Sequence, residues 1–86
     1  MIEIIKRLID EKAYLSLRSC DLALDDDLYE AGLTPFTAIQ LLLALETAFE
    51  IEFPERMLNR RSVSSIARII SCIREVQAEE ASLRAA

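Results

Sequence analysis

"TPFTAIQLLLALETAF", residues 34–49, is the stretch that decides the fold. Thr34 can cap a helix, because its hydroxyl can accept a hydrogen bond from a free N–H of the next turn. Pro35 then stands at the first helical position, where its missing N–H costs nothing and its fixed φ suits the helix. Apolar residues follow at three- and four-residue steps. The stretch therefore predicts a helix from about Pro35 to Phe49.

This helix is apolar on nearly every side, since Glu46 is its only charged residue. A helix without a wide polar face is either central to a core or exposes apolar surface to a partner. In a chain of 86 residues no helix can be surrounded completely. We therefore expect some of Leu42, Leu43 and Phe36 to reach the surface.

Helices are also predicted on both sides of this stretch. The first is amphipathic, ends around Ser16 and has an apolar stripe of Ile2, Ile5, Leu8, Ile9 and Leu15. The last is capped by Ser62 or Ser64 and has a stripe of Ile66, Ile69, Ile70, Ile73 and Val76. Residues 78–86 have little to bury, so we expect this tail to fray.

Two connecting segments lack a helical period. Residues 17–33 predict a long loop pinned by Leu22, Leu24, Leu28 and Leu33. After residue 49, "EIEFP" predicts an extended link with Ile51 and Phe53 turned inward, and "PERMLNR" predicts a short helical turn anchored by Met57 and Leu58. With one glycine and 52% apolar residues, the order of elements indicates a single all-α domain over residues 1–86.

Composition excludes several classes of function. A net charge of −5 opposes binding to nucleic acid or to an anionic membrane. The chain has no histidine, which removes the commonest general base and His-containing zinc sites. Asp25, Asp26 and Asp27 lack the pattern of a calcium loop, so we predict no metal site. Cys20 and Cys72 are interpreted as two reduced thiols. We expect a cytoplasmic protein, because neither a signal peptide nor a membrane span is apparent. We also expect that it is not an enzyme, because it has no histidine and no clustered acid–base pair that periodicity places in a cleft.

The longer stretch "DDDLYEAGLTPFTAIQLLLALETAFEIEFPERML", residues 25–58, resembles the acyl carrier protein family. In that family an acidic-Leu-x-x-x-Gly approach precedes the modification site, and an apolar "LxxALExxFxIxxP" helix follows it. The residues that match this pattern are Asp27, Leu28, Gly32, Leu41, Ala44, Leu45, Glu46, Phe49, Ile51 and Pro54. The resemblance implies a small four-helix bundle, with three main helices, a short third helix and a long first loop.

The resemblance also implies where a prosthetic group would be attached. In the family an Asp-Ser-Leu-like triplet begins the second helix, and its serine hydroxyl carries phosphopantetheine. Alignment on Ala44-Leu45-Glu46 and Pro54 puts Thr34 at the aspartate, Pro35 at the serine and Phe36 at the leucine. Pro35 has no hydroxyl, so we expect no phosphopantetheine on this chain. The alternative is a working carrier that is modified at the neighbouring hydroxyl of Thr34.

By the same resemblance, the partners would be enzymes of acyl or aminoacyl pathways, in fatty acid or secondary metabolite biosynthesis. Family members usually present acidic residues along the second helix, whereas the outward positions predicted here are Thr37, Gln40, Leu43, Glu46 and Thr47. Recognition is therefore expected to be more apolar and less sensitive to salt. The predicted partner-binding residues are Phe36, Gln40, Leu43, Glu46 and Arg56, on a monomer or weak dimer. An acyl gap walled by Ile51, Phe53, Met57 and Ile66 is a further option, although a close-packed core is the interpretation we favour.

Overall fold

The computed structural model describes residues 1–85, with side chains through residue 83, and in this part of the chain it is all-α. Helix α1 comprises Ile2–Lys12, α2 comprises Pro35–Phe49 and α3 comprises Ile66–Ala85. Three short 3-10 turns, at Ser19–Asp21, Glu55–Met57 and Arg60–Val63, occupy the connections. The predicted order of elements is confirmed, and the bounds predicted for α2 agree with those observed.

The predicted four-helix description is not confirmed. The segment between α2 and α3 forms two 3-10 turns within residues 55–63 in place of a short third α-helix. Asn59 stands between them and caps the second, since its side chain accepts a hydrogen bond from the N–H of Ser62 at 3.2 Å. A local cap of this kind stabilises a tight turn but does not extend it into an α-helix.

The end of α1 and the cap of α3 also differ from the predictions. Helix α1 ends at Lys12 rather than near Ser16, and Tyr14 beyond it has a positive φ of 51°. The residue that caps α3 is Ser65, not Ser62 or Ser64, because its hydroxyl accepts the N–H of Arg68 at 3.1 Å. Helix α3 continues to Ala85, so the predicted tail is helical there, and its fraying stays a prediction.

The core is aliphatic and lies between the three helices. Helix α1 packs on both α2 and α3, and the last 3-10 turn packs on α2 and α3. The largest fully buried side chains come from every part of the fold: Ile5, Ile9, Leu28, Leu41, Leu45, Val63, Ile66, Ile69 and Ile73. Each removes apolar surface from water, which is the main stabilising term in so small a domain.

The long loop before α2 is closed by hydrogen bonds between its two ends, and its middle is bonded to the beginning of α3 and to the residues just before it. Ser16 donates its N–H and its hydroxyl to the carbonyl of Ala31, each at 2.9 Å. Leu28 donates its N–H to Ser64 at 2.8 Å, and Leu24 accepts the N–H of Ala67 at 3.0 Å. Leu22, Leu28 and Leu33 are buried as predicted. The side chain of Leu24 is exposed, so the prediction that it pins the loop was wrong for its side chain, and its carbonyl makes the contact instead.

Candidate functional site

The start of α2 is built by a reciprocal pair of threonines. The Thr34 hydroxyl accepts the N–H of Thr37 at 3.2 Å, and the Thr37 hydroxyl accepts the N–H of Thr34 at 2.9 Å. Pro35 stands between them at the first helical position. The predicted capping role of Thr34 is therefore confirmed. Thr37 is buried, so the prediction that it faces outward was wrong, because its hydroxyl is needed inside this capping box.

The exposed part of α2 is an apolar strip, which we define as Phe36, Ile39, Gln40 and Leu43. Phe36 is 69% exposed, Ile39 58% and Leu43 54%, and Gln40 is exposed between them. Their spacing of three and four residues places them on one face of the helix. The structure thus brings three of the five predicted partner-binding residues together: Phe36, Gln40 and Leu43.

Ile39 completes this strip and was not among the predicted binding residues. Its position one turn after Phe36 and one turn before Leu43 is the signal that could have found it. Leu42, which was a candidate for exposure, is buried instead. On a helix that is apolar all round, periodicity alone does not distinguish these two faces.

Glu46 and Arg56 both make internal contacts. A carboxylate oxygen of Glu46 accepts the N–H of Phe53 at 2.8 Å, which fixes the extended link after α2. The Arg56 guanidinium forms ion pairs with Glu75, at 3.5 Å, and with Glu79, both on α3. The structure therefore does not bring Arg56 to the exposed strip, although a role in binding stays a prediction.

A groove of about 630 Å³ runs beside the strip, between α2 and residues 52–60. Pro35 lies at its edge, and Ile39, Leu42, Leu43, Phe53 and Leu58 form most of its apolar wall. Of the four walls predicted for an acyl gap, only Phe53 lines this groove. All four are buried in the core, and Ile51, Met57 and Ile66 do not reach the groove. The predicted anchor Leu58 is 54% exposed and belongs to the groove rather than to the core.

Tyr29 and Arg60 form the polar end of the groove. The Arg60 guanidinium lies 4.0 Å from the centre of the Tyr29 ring, and the Tyr29 hydroxyl donates to the carbonyl of Arg60 at 3.0 Å. Burial raises the pKa of the Tyr29 hydroxyl, and the positive charge of Arg60 partly opposes that rise. The phenol is therefore neutral and acts as a hydrogen-bond donor at this edge.

Neither a metal centre nor a membrane span is found in the described part of the chain. Residues 1–85 contain no group of three or more cysteine or acidic residues arranged to hold a metal ion. Asp26 and Asp27 instead accept backbone N–H groups, from Ala23 at 2.8 Å and from Tyr29 at 2.9 Å. Within the same residues, no helix combines the length and the apolarity that crossing a membrane requires.

Comparison with known families identifies the family of this chain. The family model described as "Phosphopantetheine attachment site" matches residues 3–70, which include α1, α2 and the beginning of α3. The chain belongs to this family. The predicted membership in the phosphopantetheine carrier family is thereby confirmed. Members of this carrier family are not enzymes, so the prediction of a non-enzymatic chain is confirmed as well.

The similar proteins include a curated carrier protein and chains of solved structures. An aminoacyl carrier protein of Agrobacterium fabrum is 56% identical over 43 residues, which cover 50% of this chain and 52% of that protein. The match thus spans about half the length of this curated relative. A chain in the crystal structure of an engineered Bradyrhizobium japonicum glycine:[carrier protein] ligase, complexed with carrier protein from Agrobacterium tumefaciens and AMP, superposes with a TM-score of 0.84. It is 38% identical, and the match covers 86% of this chain and 99% of that one. A solution structure from Agrobacterium tumefaciens gives a TM-score of 0.73 at 34% identity and covers 95% and 99% of the two chains.

Proposed function

We propose that this family member is a carrier-type domain that docks onto an acyl- or aminoacyl-pathway enzyme and carries no phosphopantetheine. The observation that carries the proposal is Pro35 at the first position of α2. In the alignment on Ala44-Leu45-Glu46 and Pro54, this proline occupies the position of the attachment serine. The function is then recognition by shape and surface, as a single cytoplasmic domain, rather than transport of a tethered cargo.

The residues at the start of α2 do not fit attachment at that position. A phosphodiester bond to phosphopantetheine requires a hydroxyl oxygen, and proline has none. The adjacent hydroxyl of Thr37 is buried within the capping box. The adjacent hydroxyl of Thr34 accepts the N–H of Thr37 and lies 3.0 Å from the Thr37 hydroxyl. Both oxygens thus have structural roles that begin the helix.

The class of partner follows from the relatives. The similar crystal structure contains a glycine:[carrier protein] ligase, and the similar curated protein is an aminoacyl carrier protein. An enzyme of that class, which activates an amino acid for a carrier protein, is the partner that we propose. Fatty acid pathway enzymes are the second choice, since this resemblance favours aminoacyl chemistry.

The apolar strip of α2 provides the docking surface for such an enzyme. Phe36, Ile39 and Leu43 are large, exposed and adjacent, and this kind of cluster marks interaction sites on small proteins. Gln40 adds a hydrogen-bonding group without a charge. Because the strip has no charged residue of its own, docking depends on burial of apolar area and responds weakly to salt.

A second candidate function is a working carrier modified at Thr34. Its support is that Thr34 is exposed and directly precedes Pro35. Against it, a group on the Thr34 oxygen would compete with the hydrogen bond that this oxygen accepts from Thr37. Loss of an N-cap of this kind costs about 1 kcal/mol.

Intact-mass spectrometry distinguishes the two functions. The chain is coexpressed with a broad-specificity phosphopantetheinyl transferase, together with Pro35→Ser as a control for recognition and Thr34→Ala as a control for the alternative site. We expect the wild type to keep its polypeptide mass and Pro35→Ser to gain one phosphopantetheine. A gain by the wild type that Thr34→Ala abolishes would overturn the proposal and establish the second function.

Docking is tested separately with the Bradyrhizobium glycine:[carrier protein] ligase as a probe. We expect Phe36→Ser and Leu43→Ser to weaken binding at least tenfold each, since each removes an apolar side chain from the contact. Leu24→Ser is the matched control, because Leu24 is equally apolar and exposed but lies in the loop before α2. Equal binding by all three variants would contradict docking through the strip.

A further inference from the structure

A second groove lies on the other side of the extended link and includes no residue of α2. It has a volume of about 740 Å³ and runs between residues 52–58 and the part of α3 from Val76 to Leu83. The helical wall contains eight residues, which corresponds to about 12 Å or two turns. This size fits a short segment of a partner rather than a whole domain surface.

Apolar surface extends from the buried floor of this groove to its exposed margins. Phe53 and Val76 are buried at its base, and Pro54 is half-buried. Leu58 and Leu83 stand at its margins, with Leu83 77% exposed. The floor therefore offers burial to one or two apolar side chains from outside.

The rim is acidic. Among the described residues that line the groove, Glu52, Glu55, Glu79 and Glu80 are charged, and none is a lysine or an arginine. Glu52 and Glu55 form no ion pair with any side chain of residues 1–83. Four carboxylates around an apolar floor complement a segment that has an apolar centre and cationic flanks.

Ion pairs join the two walls of the groove. Arg56, in the 3-10 turn at Glu55–Met57, forms ion pairs with Glu75 and Glu79 of α3. These exposed pairs connect the turn to the helix beside it. They also neutralise part of the charge of Glu79, which leaves Glu52, Glu55 and Glu80 as the main source of negative potential.

From this geometry we infer that the groove binds a basic amphipathic helix of a partner protein, with its leucine-like side chains on the floor and its lysine or arginine side chains at the glutamate rim. The surface is separate from the strip of α2, so the chain has two docking faces. Because the groove is small and its charges are exposed, binding is weak and strongly dependent on salt.

The test uses a fluorescent peptide of about 15 residues, long enough for helix formation, with leucine on one face and lysine on the other. Binding to the full chain is measured by fluorescence anisotropy and mapped by amide chemical shifts. We expect shifts at residues 52–58 and 76–83, and binding that falls as salt is raised. A peptide with glutamate in place of lysine is expected not to bind.

Two variants of equal charge give the decisive comparison. Glu52→Gln/Glu55→Gln/Glu80→Gln is expected to weaken binding about tenfold at low salt, since exposed charge pairs contribute up to about fivefold each. The control, Glu3→Gln/Glu11→Gln/Glu30→Gln, removes as much charge from exposed residues outside the groove and should change binding less than twofold. Leu83→Ser, at an exposed position that the fold does not need, should weaken binding about tenfold.

Three results would overturn the inference. Shifts centred on α2 would place the peptide on the strip instead. Equal effects of the two triple variants would show attraction to net charge only, and undiminished binding by Leu83→Ser would exclude the apolar contact at the margin of the groove. Because this peptide is not a carrier-protein ligase, failure here leaves the outcome of the docking test on α2 unaffected.

Discussion

Replacement of Thr34 by alanine is expected to lower the free energy of unfolding by about 1 kcal/mol. The Thr34 hydroxyl accepts the N–H of Thr37 at 3.2 Å, and alanine leaves this N–H without its acceptor at the beginning of α2. In a domain of this size, such a loss corresponds to a fall of about 4–8 °C in Tm. Urea unfolding followed by far-ultraviolet circular dichroism measures it directly.

The other half of the capping box gives an independent check. Thr37→Val keeps the shape of a buried side chain but removes the acceptor for the N–H of Thr34, at a cost of about 1 kcal/mol. The double variant should cost less than the sum of the two single variants. The reason is that the 3.0 Å contact between the two hydroxyls is lost in either single variant.

Two further variants control this experiment. Thr34→Ser keeps a capping hydroxyl and should retain wild-type stability. Thr47→Ala removes a hydroxyl that bonds to the Leu43 carbonyl inside α2, so stability should stay equal or rise by a few tenths of a kcal/mol. If Thr34→Ala were as stable as Thr47→Ala, the capping role assigned to Thr34 would be refuted.

Three other substitutions test the loop before α2 by the same urea assay. Leu28→Ala should lower the free energy of unfolding by about 2–5 kcal/mol because Leu28 is fully buried. Leu24→Ala should change it by no more than about 0.5 kcal/mol because Leu24 contacts α3 through its carbonyl. Similar losses for the two variants would contradict the conclusion that the side chain of Leu28, and not that of Leu24, pins the loop. Gly32→Ala should cost at least about 1 kcal/mol, since Gly32 has a φ of 115° that alanine rarely adopts. Hydrogen bonds from the hydroxyl and N–H of Ser19 lower the pKa of Asp10. The ionised Asp10 carboxylate therefore stabilises the fold at neutral pH, and this stabilisation is lost as the pH falls from about 4 through the lowered pKa. Asp10→Asn should remove this part of the loss of stability at low pH. If stability fell with pH in the variant as it does in the wild type, the stabilising role of Asp10 would be contradicted.

Much of the fold was predictable from residues 25–58, because helix-start signals and apolar periodicity agree at residues 34–49 within them. Thr34 and Pro35 mark the start of α2 by backbone chemistry alone, and Phe49 ends it as predicted. The carrier-family resemblance rests on this stretch, and the match over residues 3–70 confirms it. The absence of a hydroxyl at Pro35 is likewise a property of the sequence and needs no structure.

The orientation of α2 was decided only by tertiary packing. Its residues are apolar on every side, so a 3.6-residue period carries no information about which face is buried. Packing of the rest of the chain against α2 buries Leu41, Leu42 and Leu45 and leaves Ile39 exposed beside Phe36. The exposed strip therefore became visible only in the folded chain.

Contacts between distant segments decided the remaining features. Arg56 pairs with residues about twenty positions later on α3, and Ser65 rather than Ser62 or Ser64 caps that helix, because the 3-10 turn before it ends at Val63. The sequence determined where α2 begins and which side chains are apolar, since those properties depend on neighbouring residues. The tertiary structure decided which apolar side chains remain at the surface, because burial depends on what the rest of the chain packs against them.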